Sequence, residues 1–172
     1  MHKANLAEAE KALAYDTISA SDEQMIAFFN SNMPAGMRLL DAACVGRSQR
    51  SGELVFAFTL DGRFTNAAGF IAGGYIAQML DQAATYAGSL MTRKASPSID
   101  LKVSFHAPAR PGTFNAVGRV VKAGSSIAFL EATLFDAART LIASATVTAQ
   151  LLPIATLIRR RTADALEPAI SA

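Results

Sequence analysis

The sequence predicts an α+β fold in which an antiparallel sheet packs against one long helix. Apolar residues between Ile76 and Met91 recur with helical spacing, whereas the segments on both sides alternate apolar and polar residues, as half-buried strands do. The elements follow the order two strands, one helix, four strands, which is typical of a sheet with a helix laid on one face. A length of 172 residues fits one such domain.

Residues 1–34 are predicted to form a helical extension ahead of the main domain. Apolar residues between positions 6 and 13 share one helical face. Ser21 and Gln24 have the spacing of a capping box, so a second helix is expected to begin there. The main domain is then expected over residues 35–152.

A hairpin is predicted between this extension and the long helix. Alternating residues indicate one strand from Met37 to Arg47 and another from Glu53 to Leu60, joined by a turn at residues 48–52. The helix that follows is expected to bury one face against the sheet. That face comprises Ile76, Leu80, Ala83, Ala84, Ala87 and Met91.

Four strands are predicted after the helix, with Pro and Gly residues marking the turns between them. Strict alternation in the first strand directs the apolar residues from Ile99 to Phe105 towards the core. The same alternation directs Ser98 and His106 outward, so Ser98 reaches the helix only if the strand begins irregularly. The strands are expected at residues 98–106, 113–122, 125–136 and 141–151, followed by a solvated tail at 153–172.

The composition excludes several classes of function. A net charge of +2 argues against nucleic-acid binding, which needs clustered Lys and Arg. No apolar run suggests a membrane span or a secretory signal, so a cytoplasmic location is expected. One cysteine and two histidines are too few for a zinc site or an internal disulfide, and no Gly-x-Ser-x-Gly elbow is present. We therefore expect no metal and no redox cofactor.

The loop that enters the long helix is the predicted functional site. Gly73 and Gly74 stand at the start of the helix, where backbone N–H groups have no intrahelical acceptor and can bind an oxygen atom. Asp81 lies off the apolar face, with the small residues Ala77 and Thr85 one turn away on either side. A ligand could therefore approach this carboxylate closely.

These motifs resemble those of hotdog-fold acyl-CoA thioesterases of the PaaI-like branch. The resemblance covers about residues 37–152 and implies an antiparallel sheet wrapped around one long central helix. It rests on Asn66, Gly73-Gly74, Asp81, Ser98-Ile99-Asp100 and Lys122-Ala123-Gly124.

The resemblance also implies catalytic roles. The backbone N–H of Gly73 would polarise the thioester carbonyl, and Asp81 would activate water or attack as a nucleophile. Asn66 and Ser98 would position the reactants. Coenzyme A would be part of the substrate, and we expect Lys122, Arg110 and the turn at Gly124 to bind its phosphates, whereas His106 is interpreted as an ordinary surface or interface residue.

The spacing of two of these residues requires a second subunit. Eight residues separate Gly73 from Asp81, which is about 12 Å along a helix at about 1.5 Å per residue. The two residues cannot act on one carbonyl within one chain. Catalysis by this route therefore requires at least a homodimer, and a dimer of dimers is common among relatives.

One departure from the family leaves alternatives open. Ala72 stands where the family usually has a histidine, so one side-chain donor is missing. The protein is either a thioesterase that uses another donor, such as Tyr75, or a non-catalytic protein that binds acyl-CoA or an aromatic ligand. A structural dimer without affinity for acyl-CoA is a third alternative, and a dehydratase is disfavoured because no histidine pairs with an acid. The acyl group, aryl or medium-chain, also stays open.

Overall fold

The computed structural model describes residues 21–47 and 53–153. Its architecture confirms the predicted order of two strands, one long helix and four strands. All strand pairs are antiparallel, and the sheet order is β1-β2-β4-β5-β6-β3. The helices are α1 (Asp22–Ser31), α2 (Ala35–Leu39) and α3 (Gly73–Thr92); the strands are β1 (Ala43–Arg47), β2 (Leu54–Leu60), β3 (Ser98–Phe105), β4 (Gly112–Ala123), β5 (Ile127–Asp136) and β6 (Leu141–Gln150).

Helix α3 lies on the sheet and buries the predicted face, with one error. Met91 was expected in the core, but its side chain is exposed, and its sulfur lies 3.2 Å from a guanidinium nitrogen of Arg47. It belongs to the last turn of the helix, where Leu90 takes the buried position. The buried residues of α3 are Ile76, Met79, Leu80, Ala83, Ala84, Ala87, Gly88 and Leu90.

Backbone contact between α3 and the middle of the sheet sets the position of the helix. A Cβ atom added to Gly118 of β4 would lie 2.0 Å from the carbonyl oxygen of Ala83 and 2.9 Å from the amide nitrogen of Ala84. At Gly88 an added Cβ would instead meet side chains, 2.8 Å from Ser96 Oγ and 3.2 Å from Leu130 Cδ1. Helix and strand therefore approach more closely than side chains would allow.

Helix α1 packs onto the same core. The predicted capping box is confirmed, since Gln24 N–H donates to Ser21 Oγ at 3.2 Å and Ser21 N–H donates to Gln24 Oε1 at 2.8 Å. Phe29 is buried and meets the ring of Tyr86 on α3 edge to face, with centroids 4.7 Å apart. The helix predicted between positions 6 and 13 lies outside the described residues.

Strand β1 is shorter than predicted and holds the only cysteine of the chain. The strand expected from Met37 begins instead at Ala43, because Pro34 caps the short helix α2 and Met37 faces the core from it. Cys44 is buried, its N–H donates to Asn30 Oδ1 at 2.8 Å, and burial raises the pKa of its thiol to about 11. The turn predicted at residues 48–52 lies outside the described residues.

Strand β3 forms one end of the sheet and is only partly covered. Leu101 and Val103 pack against the core as predicted. Ile99 and Phe105 do not, because 59% and 56% of their surfaces are exposed. Within residues 21–47 and 53–153, β3 pairs with β6 alone, so an edge without a partner there and two exposed apolar side chains lie on the same strand. Among the described helices, none is long and apolar enough to cross a bilayer.

Replacement of Gly118 by alanine should destabilise the fold strongly. The added methyl group would overlap the backbone of α3, so helix and sheet must separate, and we expect the free energy of unfolding to fall by about 2 kcal/mol or more. Urea unfolding followed by circular dichroism measures this loss. The control is Gly62→Ala, whose Cβ would meet no atom within 4 Å; equal stability of the two variants would contradict the contact.

Candidate functional site

A tight loop closed by Asn66 leads into α3. Asn66 Oδ1 accepts the N–H groups of Ala68 at 2.9 Å and Phe70 at 3.3 Å, and Gly69 turns the chain with a φ of 78°. Because the oxygen accepts both bonds, the orientation of the amide is determined. The Nδ2 group has no hydrogen-bond partner within the described ranges. Asn66 is thus a turn residue that also keeps a free donor.

The first residues of α3 offer further donors. Ala72 is the N-cap and makes no side-chain capping bond. The backbone N–H groups of Gly73 and Gly74 have no acceptor among the residues that the structure describes, whereas those of Tyr75 and Ile76 bond to Ala72 O. Two exposed N–H groups at the positive end of a 20-residue helix can bind an anion or a polarised carbonyl.

Gly73, the first of these donors, lines a cavity of about 430 Å³. Its wall is mainly apolar, and its polar lining residues are Asn66, Gly73 and His106. The loop and the segment after β3 are joined across the cavity, since Ile71 N–H donates to Ala109 O at 2.8 Å. The apolar lining residues are Phe70, Ile71, Ile76, Phe105, Ala107, Pro108 and Ala109.

Asp81 belongs to a second cluster further along α3. Ser98 Oγ donates a hydrogen bond to Asp81 Oδ1. The register explains how Ser98 reaches the helix: Ser98 pairs with Ala149 and Asp100 with Thr148, so the strand begins with a bulge at Ile99. Ser98 was expected to reach the helix only if β3 began irregularly, and this bulge is such a start. The Ser98 side chain therefore contacts the carboxylate of Asp81.

The two clusters lie at opposite ends of β3. The strand runs antiparallel to α3, with Phe105 beside Gly73 and Ser98 beside Asp81. A Cβ added to Gly73 would lie 3.1 Å from Phe105 Cζ. The structure therefore joins Asn66 with Gly73, and Asp81 with Ser98, but it does not join the two pairs within one chain.

The cationic residues proposed to bind the phosphates of coenzyme A also lie far from each other within one chain. Arg110 is exposed, and its guanidinium lies 5.1 Å from the centroid of Phe70, a residue of the cavity wall. Lys122 lies at the other end of β4, about 30 Å away at about 3.3 Å per strand residue. Gly124 belongs to the β4–β5 turn, where its N–H donates to Ile127 O at 2.8 Å. Their role in phosphate binding stays a prediction.

His106 is the lining residue that sequence reasoning missed. It is exposed, as alternation predicted, but it also lines the cavity with Gly73. The turn at Pro108 could have indicated this, because it folds the end of β3 back towards the loop. Tyr75, the donor suggested in place of the family histidine, packs its ring against Phe64 with centroids 5.0 Å apart and is absent from the described lining.

In the described part of the chain, an antiparallel sheet of six strands packs on one long helix, which is the arrangement of a hotdog fold. A family model described as the thioesterase superfamily matches residues 68–148, which include α3 and β3 to β5. No curated protein matches the sequence. The hotdog fold that the resemblance implied is thus confirmed, and the family match, which covers just under half of the chain, supports thioester hydrolysis as the class of activity.

Solved structures of low sequence identity share this fold. PaaI of Escherichia coli, from the phenylacetic acid degradation operon, has a TM-score of 0.68 and 17% identity over 76% of this chain and 94% of its own. Thioesterase superfamily member 2 of zebra fish has a TM-score of 0.66 and 22% identity, over 77% of this chain and 99% of its own. A Streptococcus mutans UA159 protein bound to acetyl-CoA has a TM-score of 0.58 and 22% identity, over 64% of this chain and 87% of its own.

Two substitutions of Asn66 should separate its loop bonds from its free donor. Asn66→Asp keeps the acceptor for Ala68 and Phe70 and loses Nδ2, whereas Asn66→Ala loses both. We expect the alanine variant alone to lose about 1 kcal/mol of stability, with faster hydrogen exchange at the two amides. Equal exchange rates in both variants would contradict the role of Oδ1 in closing the loop.

Proposed function

We propose that the protein is an acyl-CoA thioesterase whose active sites form between two chains. The observation that carries this is the separation of a positioned carboxylate from the helix donors that a thioester needs. Asp81 is held by Ser98, and Gly73 presents its N–H about 12 Å away on the same helix. Each cluster is half of a hydrolytic site.

The proposed reaction follows from these two halves. The thioester oxygen accepts the N–H of Gly73 in one chain, which stabilises the negative charge of the tetrahedral intermediate. Asp81 of the other chain removes a proton from water as the water oxygen attacks the carbonyl carbon. The C–S bond then breaks, the proton passes to the leaving thiolate, and the products are a carboxylic acid and coenzyme A.

The free edge of β3 supports the dimer. An antiparallel pairing of two β3 strands, centred between Leu101 and Lys102, would place Ser98 of one chain opposite Phe105 of the second copy. It would also cover the exposed side chains of Ile99 and Phe105 and satisfy the open strand edge. Two complete sites would result from one twofold axis. A dimer of dimers stays compatible with this arrangement.

The lining of the cavity supports the proposed class of substrate. Its apolar wall, with Phe70 and Phe105, suits an aryl or medium-chain acyl group beside the polarised carbonyl. The acetyl-CoA bound to the Streptococcus mutans relative and the operon of the Escherichia coli relative support an acyl-CoA and an aryl group, respectively. Arg110 and Lys122, from different chains, are the proposed partners of the phosphates.

Replacement of Asp81 tests the activity. We expect wild type to release free thiol from aryl or medium-chain acyl-CoA, and Asp81→Asn to lower kcat by about 100-fold or more because the base is lost. The matched control is Asp41→Asn, an exposed carboxylate with a φ of 48° that asparagine also adopts.

The same panel of acyl-CoA substrates distinguishes a thioesterase from the alternative, a non-catalytic protein that binds acyl-CoA or an aromatic ligand. Titration calorimetry would show whether wild type binds acyl-CoA without hydrolysing it. Binding without turnover would favour a non-catalytic ligand-binding protein, consistent with the missing side-chain donor at Ala72. If the protein shows no binding and no turnover, the third alternative, a structural dimer without affinity for acyl-CoA, is the one that remains.

Mixed dimers test the shared site. Gly73→Pro removes the N–H donor at a position where proline suits the first helical turn, and Ala72 already has the extended ψ of 142° that precedes proline. A heterodimer of Gly73→Pro with Asp81→Asn would contain one intact site, so about half of the wild-type rate should return.

The controls for this experiment use the same position. Gly73→Ala keeps the N–H while adding a Cβ near Phe105, so it should retain much more activity than the proline variant. Co-expression with two affinity tags isolates the heterodimer. If it stays as inactive as the two homodimers, the site does not combine Gly73 and Asp81 of different chains.

A further inference from the structure

We propose that Ser96 is a positioning residue for hydrolysis, because its buried hydroxyl sets the hydrogen bond between Ser98 and Asp81. Ser96 lies two residues before Ser98, in the segment that leads from α3 into β3. The inference rests on the proposed thioesterase function. It adds to that function a residue that acts through Ser98 and not on the substrate.

The burial of Ser96 is the first observation behind this inference. The residue is 3% exposed, and it is the one polar residue so deeply buried among those that the structure describes. A buried hydroxyl has lost its bonds to water, so the protein must supply partners for it. Ser96 Oγ donates to Thr85 O at 2.5 Å and lies 3.0 Å from Ser89 Oγ. Because its one hydrogen is given to Thr85 O, Ser89 is the donor in the second bond.

Both partners of Ser96 belong to α3, just after the carboxylate. Thr85 lies one turn beyond Asp81, and its own hydroxyl donates to Asp81 O at 2.8 Å. Gly88 allows the serine to come close, since an added Cβ would lie 2.8 Å from Ser96 Oγ and 3.2 Å from Ser96 Cβ. The contact therefore attaches the segment before β3 to the turn of α3 that follows Asp81.

The chain between the two serines has little freedom to move. Pro97 separates them, and its ring fixes one backbone dihedral angle. Its carbonyl oxygen accepts the N–H of Gln150 at 2.9 Å, which bonds the segment to the end of β6. Ser98 itself stands at the bulge of β3, where the regular ladder with β6 is interrupted. The bond of Ser96 to α3 therefore supplies a constraint on Ser98 that the interrupted ladder does not.

A double-mutant cycle tests whether Ser96 acts through Ser98. We expect Ser96→Ala to lower kcat by about 10-fold and to change KM by less than about 3-fold, because a misplaced Ser98 disturbs the chemical step more than binding. Ser98→Ala keeps Asp81 and should lower kcat by about 10- to 100-fold. In the Ser98→Ala background, Ser96→Ala should lower kcat by less than about 2-fold more, since the hydroxyl that it positions is already absent.

Ser89 provides a second cycle with a milder change. Ser89→Ala removes the donor to Ser96 Oγ and leaves the bond from Ser96 to Thr85 O. It should lower kcat by about 3-fold alone, and by less than about 1.5-fold in the Ser98→Ala background. Because Ser89 is only partly buried, this variant keeps the test open if Ser96→Ala does not fold.

Thr92→Val is the matched control. Thr92 Oγ1 donates to Gly88 O at 2.7 Å, so this variant of nearly equal size also loses a hydroxyl that bonds a carbonyl of α3. The residue ends the helix, far along it from Asp81. Its kcat should stay within about 2-fold of wild type. Thermal unfolding of every variant, with kcat measured well below the lowest midpoint, separates activity from stability.

The outcomes distinguish this inference from the function on which it rests. If wild type hydrolyses no thioester, the proposed function fails and the inference fails with it. If wild type is active and both Ser96→Ala and Ser89→Ala keep their kcat, only the inference is overturned. It is also overturned if Ser96→Ala slows the reaction equally with and without the Ser98 hydroxyl. Ser96 would then support the fold and not the Ser98–Asp81 pair.

Discussion

The rest of the structure depends on the backbone contact between α3 and β4. At Gly118 the strand has no side chain, and the carbonyl of Ala83 occupies the space that a Cβ would need. The helix therefore lies against the sheet at a distance that no larger residue permits. Because Gly73 and Asp81 belong to this one rigid helix, their heights above the sheet are determined together. A shift of the helix would move both halves of the proposed site.

Strand β3 contacts α3 at both halves of the proposed site. It runs along α3 and contacts it near both proposed site residues, with Phe105 beside Gly73 and the Ser98 hydroxyl beside Asp81. The bulge at Ile99 matters here, because a regular start would direct Ser98 to the opposite face of the sheet. One irregular residue pair thus decides whether the carboxylate has a hydrogen-bond partner.

The sequence predicted the long helix, the order of the elements along the chain and the capping box at Ser21, because each is a local pattern. It also placed Asn66, Gly73 and Asp81 on the elements where they lie. The short helix α2 was missed because an alternating run that included Met37 masked its start after Pro34.

Through-space features were harder to predict. The unbroken alternation from Ser98 to His106 conceals the bulge, which arises from pairing with β6. The place of His106 in the cavity depends on a turn that folds the chain back, and no spacing in the sequence reports such a contact. How the two halves of the site meet depends on a second chain, for which one sequence supplies only the distance argument.

The burial of Cys44 has a chemical consequence for a protein that handles thioesters. A thioester transfers its acyl group readily to a thiolate, so an accessible cysteine would be acylated by the substrate itself. Here the sulfur is enclosed between α1 and β1, and a thiol with a pKa of about 11 is almost wholly protonated at neutral pH. The single sulfhydryl of the chain is thereby kept unreactive towards thioesters.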